Sequence, residues 1–224
     1  MKPEIPTIAV DVMGSDMGPE EIIIGIKKAL AEDKSEFGII VVGNEEIITP
    51  MLLRHNLIRE SRVMVYNASE VIEMDEKPIQ AIKTKKDSSM MRAIEIVKLG
   101  TASAVLSCGN TGALMAGGTI KLRTMQGIER PALGTVIPGK IKNFIFIDVG
   151  ASPDPKPESL VDNAILGANY AKIALGAKNP RVGLLSNGTE DGKGNMLVQT
   201  AHRLFKAQEG VINYGGLLVG FNLF

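Results

Sequence analysis

Short β-rich runs alternate with helical patterns along almost the whole chain, and this alternation constrains the fold more than any other feature of the sequence. Most of the β-rich runs lack a regular polar alternation, which is typical of parallel strands covered on both faces. Strands that alternate with helices favour βαβ units and a parallel, doubly wound sheet with helices on both faces, so we predict an α/β fold. The predicted strands are Thr7–Val10, Gly38–Val42, Arg62–Tyr66, Ala102–Ser107, Asn143–Val149 and Arg181–Ser186.

Helix signals lie between these strands. The run that starts at Pro19 has the chemistry of a first helical turn, and its apolar positions continue to Leu30. Ser88 and Ser89 are suited to cap a helix that stops at Gly100. The other predicted helices are Glu158–Leu175 and Asn195–Ala207.

The sequence contains no repeat, no low-complexity segment and no obvious linker, so we predict a single domain over residues 1–224. The stretch from Asn213 to Phe224 is apolar up to its last residue, whereas a natural terminus is more often polar and frayed. We therefore expect this stretch to be a sheet element whose continuation is missing.

Charge and cysteine content exclude several classes of protein. Lys plus Arg and Asp plus Glu both number 25, so the formal net charge is zero, which argues against binding of nucleic acid. Cys108 is the single cysteine, which excludes an internal disulfide, disfavours structural zinc and fits a reducing cytoplasm. The chain starts without a signal-peptide core, and its apolar runs are too short to span a bilayer. We expect a cytoplasmic protein whose only membrane contact is peripheral.

Five of the six predicted strands run into loops rich in Gly, Asn, Asp and Ser. In an open parallel sheet the carboxyl ends of the strands lie along one edge, and ligands bind there at the topological switch point. Glycines let the backbone approach an oxyanion closely, and helix N-termini present free N–H groups to it. We therefore expect these loops together to cradle a phosphate. The loops are Asp11–Asp16, Gly43–Glu45, Cys108–Gly112, Asp148–Ser152 and Asn187–Asn195.

Each loop also has a purely structural interpretation, because Gly and Asn are ordinary turn residues after a strand. We accept the structural interpretation for Gly43-Asn44 and favour a functional one for Gly109–Gly112, which leads into a helix of small residues. Both interpretations stay open for Asp148–Gly150 and for Lys85–Ser89, which is either a helix cap with solvated lysines or an anion-binding turn. The Lys193–Asn195 group places a cation beside a helix start, which suits an anion.

The motifs of several common enzyme classes are absent from the sequence. It has no nucleotide-binding phosphate loop, no Gly-x-Gly-x-x-Gly after the first strand and no Gly-x-Ser-x-Gly nucleophile elbow. His55 and His202 lie inside helical patterns, and we expect structural or exposed positions for both. Cys108 follows a strand, where a buried cysteine is more often a small hydrophobic residue than a nucleophile.

Several stretches occur in an order that is typical of one family. They are Ala9–Asp16, Lys85–Met90, Ser107–Met115, Gly127–Ala132, Asp148–Ala151 with Lys156–Glu158, and Lys193–Asn195. Any one of them is a weak signal, but together they cover nearly the whole chain. In this order they resemble the bacterial phosphate acyltransferases of phospholipid synthesis, the PlsX family.

The resemblance implies a three-layer α/β/α fold with a mainly parallel sheet, like that of phosphate acetyltransferases and isocitrate dehydrogenase-like enzymes. It implies that a fatty acyl group moves from an acyl carrier protein thioester to inorganic phosphate, giving acyl phosphate. It also implies a homodimer, peripheral contact with a membrane acyltransferase, and a reaction that needs no cofactor or metal. Family members run well beyond residue 224, so we expect this chain to lack a C-terminal part. Two alternatives stay open: an inactive truncated fragment, and a phosphate acetyltransferase-like enzyme that uses acyl-coenzyme A.

Lys193 and Asn110 are the predicted catalytic residues, because an ammonium at a helix start and polar groups at a strand end suit a phosphate or a developing oxyanion. The predicted substrate-binding and phosphate-binding residues lie in the same loops and caps. They are Asp11, Gly14, Lys86, Ser88, Gly109, Thr111, Gly112, Asp148, Lys156, Asn187, Gly188 and Asn195.

Overall fold

A computed structural model describes residues 5–33, 35–150 and 154–222. The chain divides into two compact units, Met1–Arg123 and Thr124–Phe224, which we call the N-terminal and the C-terminal unit. That they form one domain stays a prediction. Ala151 and Ser152 of the predicted loop after Asp148 lie outside the described residues.

The described part of the N-terminal unit contains strands and helices in alternating α/β order. They are β1 (Thr7–Asp11), α1 (Pro19–Glu32), β2 (Gly38–Gly43), α2 (Glu45–Arg54), β3 (Val63–Asn67), α3 (Pro78–Thr84), α4 (Ser89–Lys98), β4 (Ala104–Ser107) and α5 (Thr111–Leu122). The strands form one parallel sheet in the order β3-β2-β1-β4. Strands β1, β2 and β3 are added successively in one direction across the sheet, and β4 then lies on the other side of β1. The strand order therefore reverses between β1 and β4.

Helices cover both faces of this sheet, because successive strand residues point to opposite sides. Val10 and Val41 pack with Ile23 of α1 and Ile48 of α2 in one buried cluster. On the other face, Ala9, Ile40 and Val42 pack with Ala93 and Ile96 of α4. The N-terminal unit is thus a three-layer α/β/α arrangement around a parallel sheet, as the sequence predicts.

The C-terminal unit contains two small sheets. Its elements are β5 (Gly134–Ile137), β6 (Phe144–Ile147), α6 (Pro157–Ala174), β7 (Arg181–Leu185), α7 (Met196–Lys206), β8 (Asn213–Leu218) and a 3₁₀ turn (Gly220–Asn222). Strands β7 and β8 are parallel, whereas β5 and β6 are antiparallel. The expectation that the Asn143–Val149 run is a parallel strand is therefore wrong, because a short hairpin brings β5 beside β6.

Helices α6 and α7 pack together against β7 and β8. Their core includes Ala164, Ala201 and Phe205 from the helices and Leu184 and Leu217 from the strands. An apolar cavity of about 610 Å³ lies among β6, β7 and α6. The sheet element predicted near the end of the chain is observed as β8.

Most of the predicted elements are observed, with ends that differ by at most two residues from the predicted ones. Helices α2 and α3 and strand β5 were not predicted. Helix α2 contains Pro50, a residue that normally argues against a helix interior, and α3 spans only Pro78–Thr84. In the part of the chain that the structure describes, no helix combines the length and the apolar character needed to cross a membrane.

Two adjacent isoleucines of α2 test the packing of the sheet. Ile48 is 0% exposed and Ile47 is 43% exposed. We expect Ile48→Ala to lower the free energy of unfolding by about 2–5 kcal/mol, because it leaves a cavity in the core. The control Ile47→Ala should change it by no more than about 0.5 kcal/mol. Urea unfolding of both variants measures this difference, and equal losses would contradict the packing described here.

Candidate functional site

The carboxyl ends of β1 and β4 lie side by side where the strand order reverses. Asp11 ends β1, Ser107 ends β4, and the two residues are partners in the sheet register. Open α/β sheets bind ligands at such a switch point. The structure brings Asp11, Gly14, Gly109 and Asn110, all predicted site residues, to this one place.

The Asp11 carboxylate joins the two loops from inside the protein. Asp11 is 2% exposed, and its Oδ2 accepts a hydrogen bond from Ser107 Oγ at 2.7 Å. Ser107 Oγ in turn accepts from the Gly109 N–H at 3.1 Å, and Asp11 Oδ1 accepts from the Met13 N–H at 3.2 Å. Asp11 therefore positions the loops. Ser107 was missed as a site residue, although its place at the end of a strand was a usable signal.

The loops after β1 and β4 approach each other backbone to backbone. A Cβ atom on Gly14 would lie 3.1 Å from Gly109 Cα, and one on Gly109 would lie 3.1 Å from the Gly14 carbonyl oxygen. The nearest atoms belong to the main chain, so no side chain can rotate away to make room. This close approach favours glycine at both positions, because a Cβ atom at either one would force the facing backbone to shift.

Asn110 is the N-cap of α5 and is 6% exposed. Its Oδ1 accepts from the Ala113 N–H at 3.0 Å. Its Nδ2 lies 3.0–3.2 Å from the carbonyl oxygens of Glu73, Met74 and Glu76 and donates to them. The whole amide is thus committed to holding the 73–76 segment against the start of α5. This is a positioning role, and the catalytic role of Asn110 stays a prediction.

The start of α5 presents backbone donors at the same sheet edge. The first N–H groups of a helix have no partner within the helix, and the Asn110 side chain takes up the one at Ala113. Thr111 and Gly112 begin the helix and are exposed. A Cβ on Gly112 would lie 2.7 Å from Pro78 Cγ, so glycine lets α3 begin against α5. Cys108 is exposed, unlike the buried cysteine considered from the sequence.

The Lys85–Ser89 turn is a helix cap in this structure. Ser88 is 0% exposed, and its Oγ accepts from the Met91 N–H at 3.4 Å. Lys85 Nζ donates to the Val71 carbonyl at 2.6 Å and forms an ion pair with Glu76 at 2.8 Å. Lys86 is exposed. The structural interpretation accounts for Lys85 and Ser88, and a ligand role for Lys86 stays a prediction.

Asp87, in the same turn, is held in its ionised form. Hydrogen bonds from Ser69, and then from Arg92, lower the pKa of Asp87 from 3.8 to about 2. Because the folded-state pKa is lowered, this carboxylate stabilises the fold above about pH 4. That contribution is lost as the pH falls from about 4 through about 2.

A second group of predicted residues lies in the loop of residues 187–195, between β7 and α7 in the C-terminal unit. Asn187 Oδ1 accepts from the Gly194 N–H at 2.9 Å and closes the loop. Asn195 caps α7 by accepting from the Val198 N–H at 3.0 Å. Lys193 is exposed, and its N–H donates to the Glu190 carbonyl at 2.9 Å.

Gly188 makes room for the Lys193 side chain. A Cβ on Gly188 would lie 2.6 Å from Lys193 Cγ, so the aliphatic part of the lysine runs across this glycine. Lys193 thus lies on the exposed part of the closed loop, two positions before Asn195, the N-cap of α7. Positive side chain and positive helix end together favour an anion.

Asp148 and Lys156 lie elsewhere in the C-terminal unit. Asp148 follows β6 with a left-handed backbone (φ 65°), and its buried Oδ1 has no hydrogen-bond partner among the described residues. Lys156 is the N-cap residue of α6 and lies 3.8 Å from Glu129. Ten of the predicted residues thus lie either at the β1/β4 edge or in the 187–195 loop, whereas Lys86, Ser88, Asp148 and Lys156 belong to neither group. That both groups serve one substrate stays a prediction.

Sequence comparison places the chain among known proteins. A family model described as "Fatty acid synthesis protein" matches residues 6–224. The chain is 44% identical over 217 residues to a phosphate acyltransferase of Halothermothrix orenii, covering 97% of this chain and 64% of that protein. It is also 44% identical over 218 residues to a phosphate acyltransferase of Syntrophomonas wolfei, covering 97% of this chain and 67% of the relative. The chain therefore spans about two thirds of the length of these relatives.

Two solved structures share the fold of this chain. The EutD phosphotransacetylase from Staphylococcus aureus superimposes with a TM-score of 0.65 at 21% identity, covering 97% of this chain and 68% of that one. A branched-chain phosphotransacylase from Enterococcus faecalis V583 gives 0.62 at 20% identity, with 95% and 68% covered. These matches confirm the predicted α/β/α fold class.

The contact between Gly14 and Gly109 is tested by Gly14→Ala. The added methyl group would meet backbone at 3.1 Å, so we expect a lower melting temperature and a loss of about 1–3 kcal/mol. The control is Gly25→Ala in α1, where nothing lies within 4 Å of the new Cβ. Alanine there should stabilise by about 0.5–1 kcal/mol through helix propensity. A Gly14→Ala protein as stable as wild type would show that the two loops are farther apart.

Asn110 and Asn195 both cap a helix, but Asn110 is buried and Asn195 is exposed, so replacing them should have different costs in stability. Asn195→Ala removes one exposed cap bond and should cost about 1 kcal/mol of unfolding free energy. Asn110→Ala also leaves the carbonyls of residues 73, 74 and 76 without their donor, so its cost should be at least about 1–3 kcal/mol larger. Chemical unfolding measures both, and equal costs would rule out the bridging role of Asn110.

Proposed function

The chain belongs to the family of fatty acid synthesis proteins whose curated relatives are named phosphate acyltransferase, and on that premise we propose that its protein transfers an acyl group from a thioester to inorganic phosphate. The proposed donor is acyl-[acyl carrier protein], and the proposed products are an acyl phosphate and the free carrier thiol. The structural observation that supports this proposal is the closed 187–195 loop, which presents Lys193 beside the start of α7.

The proposed reaction needs no nucleophile from the protein. A large share of phosphate is the hydrogen phosphate dianion near neutral pH, since its second ionisation lies close to neutrality. A phosphate oxygen attacks the thioester carbonyl carbon, a C–O bond forms, and the C–S bond then breaks. The proton carried by hydrogen phosphate ends on the departing thiolate, whose conjugate thiol has a pKa near 8.5. All atoms and charges are accounted for without a Ser-His pair or an acyl-cysteine, so the exposed Cys108 has no required role.

Positioning and charge are what such a reaction asks of the protein. We assign phosphate recognition to the 187–195 loop, where the Lys193 ammonium and the α7 N-terminus both favour an anion. The start of α5, taken by itself, offers neutral backbone donors of the kind that suit an oxyanion. Asp11, Ser107 and Asn110 keep the α5 start in place through bonds within the protein.

The family resemblance also leads us to propose a homodimer, a cytoplasmic location and a peripheral contact with a membrane acyltransferase. Sizing chromatography and fractionation of cells test these assignments independently of the reaction.

The reaction itself is tested by trapping acyl phosphate with hydroxylamine as the hydroxamate. The chain is incubated with phosphate and either acyl-[acyl carrier protein] or acyl-coenzyme A, with a phosphate-free control and the Halothermothrix orenii relative alongside. Product from acyl-[acyl carrier protein] only in the presence of phosphate is the expected result. Product from acyl-coenzyme A and phosphate, but not from acyl-[acyl carrier protein] and phosphate, would favour the phosphate acetyltransferase-like alternative. Activity of the relative without activity of this chain would overturn the proposal for this chain.

Lys193→Met tests the phosphate-binding role of the ammonium. We expect turnover to fall at least about tenfold, which corresponds to about 1.4 kcal/mol of transition-state stabilisation. Lys178→Met is the matched control, because Lys178 is an exposed lysine of the same unit outside the loop. Activity assays at saturating donor and varied phosphate measure both variants. Wild-type rates in a folded Lys193→Met protein would exclude the role.

A further inference from the structure

A buried histidine contacts the loop that carries Lys193. His202 lies in α7, and its side chain is 5% exposed. Its Nε2 is 3.1 Å from Asp191 Oδ1, and its Nδ1 is 2.6 Å from the Tyr214 hydroxyl on β8. Lys206 Nζ donates to Asp191 Oδ2 at 2.7 Å. We call Asp191, His202 and Lys206 the Asp191 clasp.

The partners of His202 determine which ring nitrogen carries a proton. A hydrogen bond to Lys206, and then one to His202, lowers the pKa of Asp191, so its carboxylate is ionised and accepts from Nε2–H. Burial, and then the Asp191 charge, raises the pKa of Tyr214 to about 12, so its hydroxyl keeps its proton. A neutral ring with the proton on Nε2 satisfies every group: Tyr214 O–H donates to Nδ1, and Nε2–H donates to Asp191. The opposite tautomer would set a lone pair against a carboxylate.

The clasp adds a further attachment to a loop that is otherwise held at its base. Asn187 closes the base through the Gly194 N–H. Gln199 of α7 donates to the carbonyls of Gly192 and Gly194 at 3.0 and 3.1 Å. Asp191 lies on the exposed outer part of the loop, with 77% of its side chain exposed, two positions before Lys193. The clasp attaches Asp191 to α7, in addition to the Gln199 bonds to Gly192 and Gly194.

We propose that His202 is a positioning residue that, through Asp191, fixes the loop of residues 187–195 and thereby sets the place of the Lys193 ammonium. The role rests on the phosphate-binding function proposed for Lys193. Helix α7 is attached to β8 by the Tyr214 hydroxyl and by ring contacts at 5.5 Å with His202 and 5.1 Å with Phe205. The clasp therefore links the loop that carries Lys193, through α7 and β8, to the core of the C-terminal unit.

The first arm of the test measures the loop without using activity. His202→Phe keeps a buried ring but removes the donor to Asp191, and Asp191→Ala removes the acceptor from an exposed position. Hydrogen exchange of residues 187–195 should become at least about tenfold faster in both variants, because the bonded N–H groups of Lys193 and Gly194 open more often. His55→Phe is the control, since it removes a similar histidine–carboxylate bond of 3.0 Å, to Glu20, from the N-terminal unit. It should leave exchange of the loop unchanged.

The second arm measures the reaction. In His202→Phe we expect the KM for phosphate to rise at least about fivefold with a smaller change in kcat, because the binding lysine is less ordered. His202→Gln should restore the wild-type value, since its amide nitrogen can take the place of Nε2, whereas the shorter His202→Asn should not. The His202→Phe/Asp191→Ala double variant should have a KM for phosphate no higher than that of Asp191→Ala, because His202 acts on the loop through Asp191.

The outcomes separate this proposal from the proposed function. Unchanged loop exchange in both His202→Phe and Asp191→Ala overturns the positioning role, whatever the activity. Additive effects of the two substitutions, or equal rescue by Gln and Asn, also overturn it. If His202→Phe does not fold, Asp191→Ala alone decides the exchange arm. If the two variants exchange faster but the unsubstituted chain has no activity, the clasp is retained and the proposed function is rejected.

Discussion

The buried hydrogen bond between Asp11 and Ser107 is the contact on which the N-terminal unit depends. It joins β1 to β4 at the point where the strand order reverses, and it places a carboxylate that is 2% exposed inside the protein. A buried carboxylate is costly unless its oxygens are hydrogen-bonded, and both oxygens of Asp11 are. The same contact brings Gly14 against Gly109, so the loop that starts α5 can occupy only one place.

Asparagine side chains cap helices in both units. Asn44, Asn110 and Asn195 each cap a helix by accepting one of its first N–H groups. Such a cap holds the strand-to-helix loop closed while other donors of the first turn stay available to a ligand. The 187–195 loop uses Asn187 in a similar way, accepting from Gly194 at its base. Short polar side chains thus hold the backbone of these loops in place.

Family membership and fold carry different information about this protein. The fold is shared with a phosphotransacetylase and a branched-chain phosphotransacylase at 20–21% identity, with TM-scores of 0.62–0.65. Membership in the fatty acid synthesis family rests instead on relatives that are 44% identical. A fold alone permits many reactions, so the assignment of function depends on the particular loops and their residues. For this chain we propose the Lys193 loop as the part that recognises phosphate.

Sequence periodicity and turn chemistry determined the type and approximate ends of β1, α1, β2, α4 and α7, because these properties are local to each segment. They also located the loops at the strand ends. Only the tertiary structure showed which polar side chains form hydrogen bonds to distant parts of the protein. Asn110 donates to carbonyls 34 to 37 positions away, and His202 bonds to Tyr214 on another element. The antiparallel pairing of β6 likewise depends on its neighbour β5, because the residues of a strand do not determine which strand pairs with it.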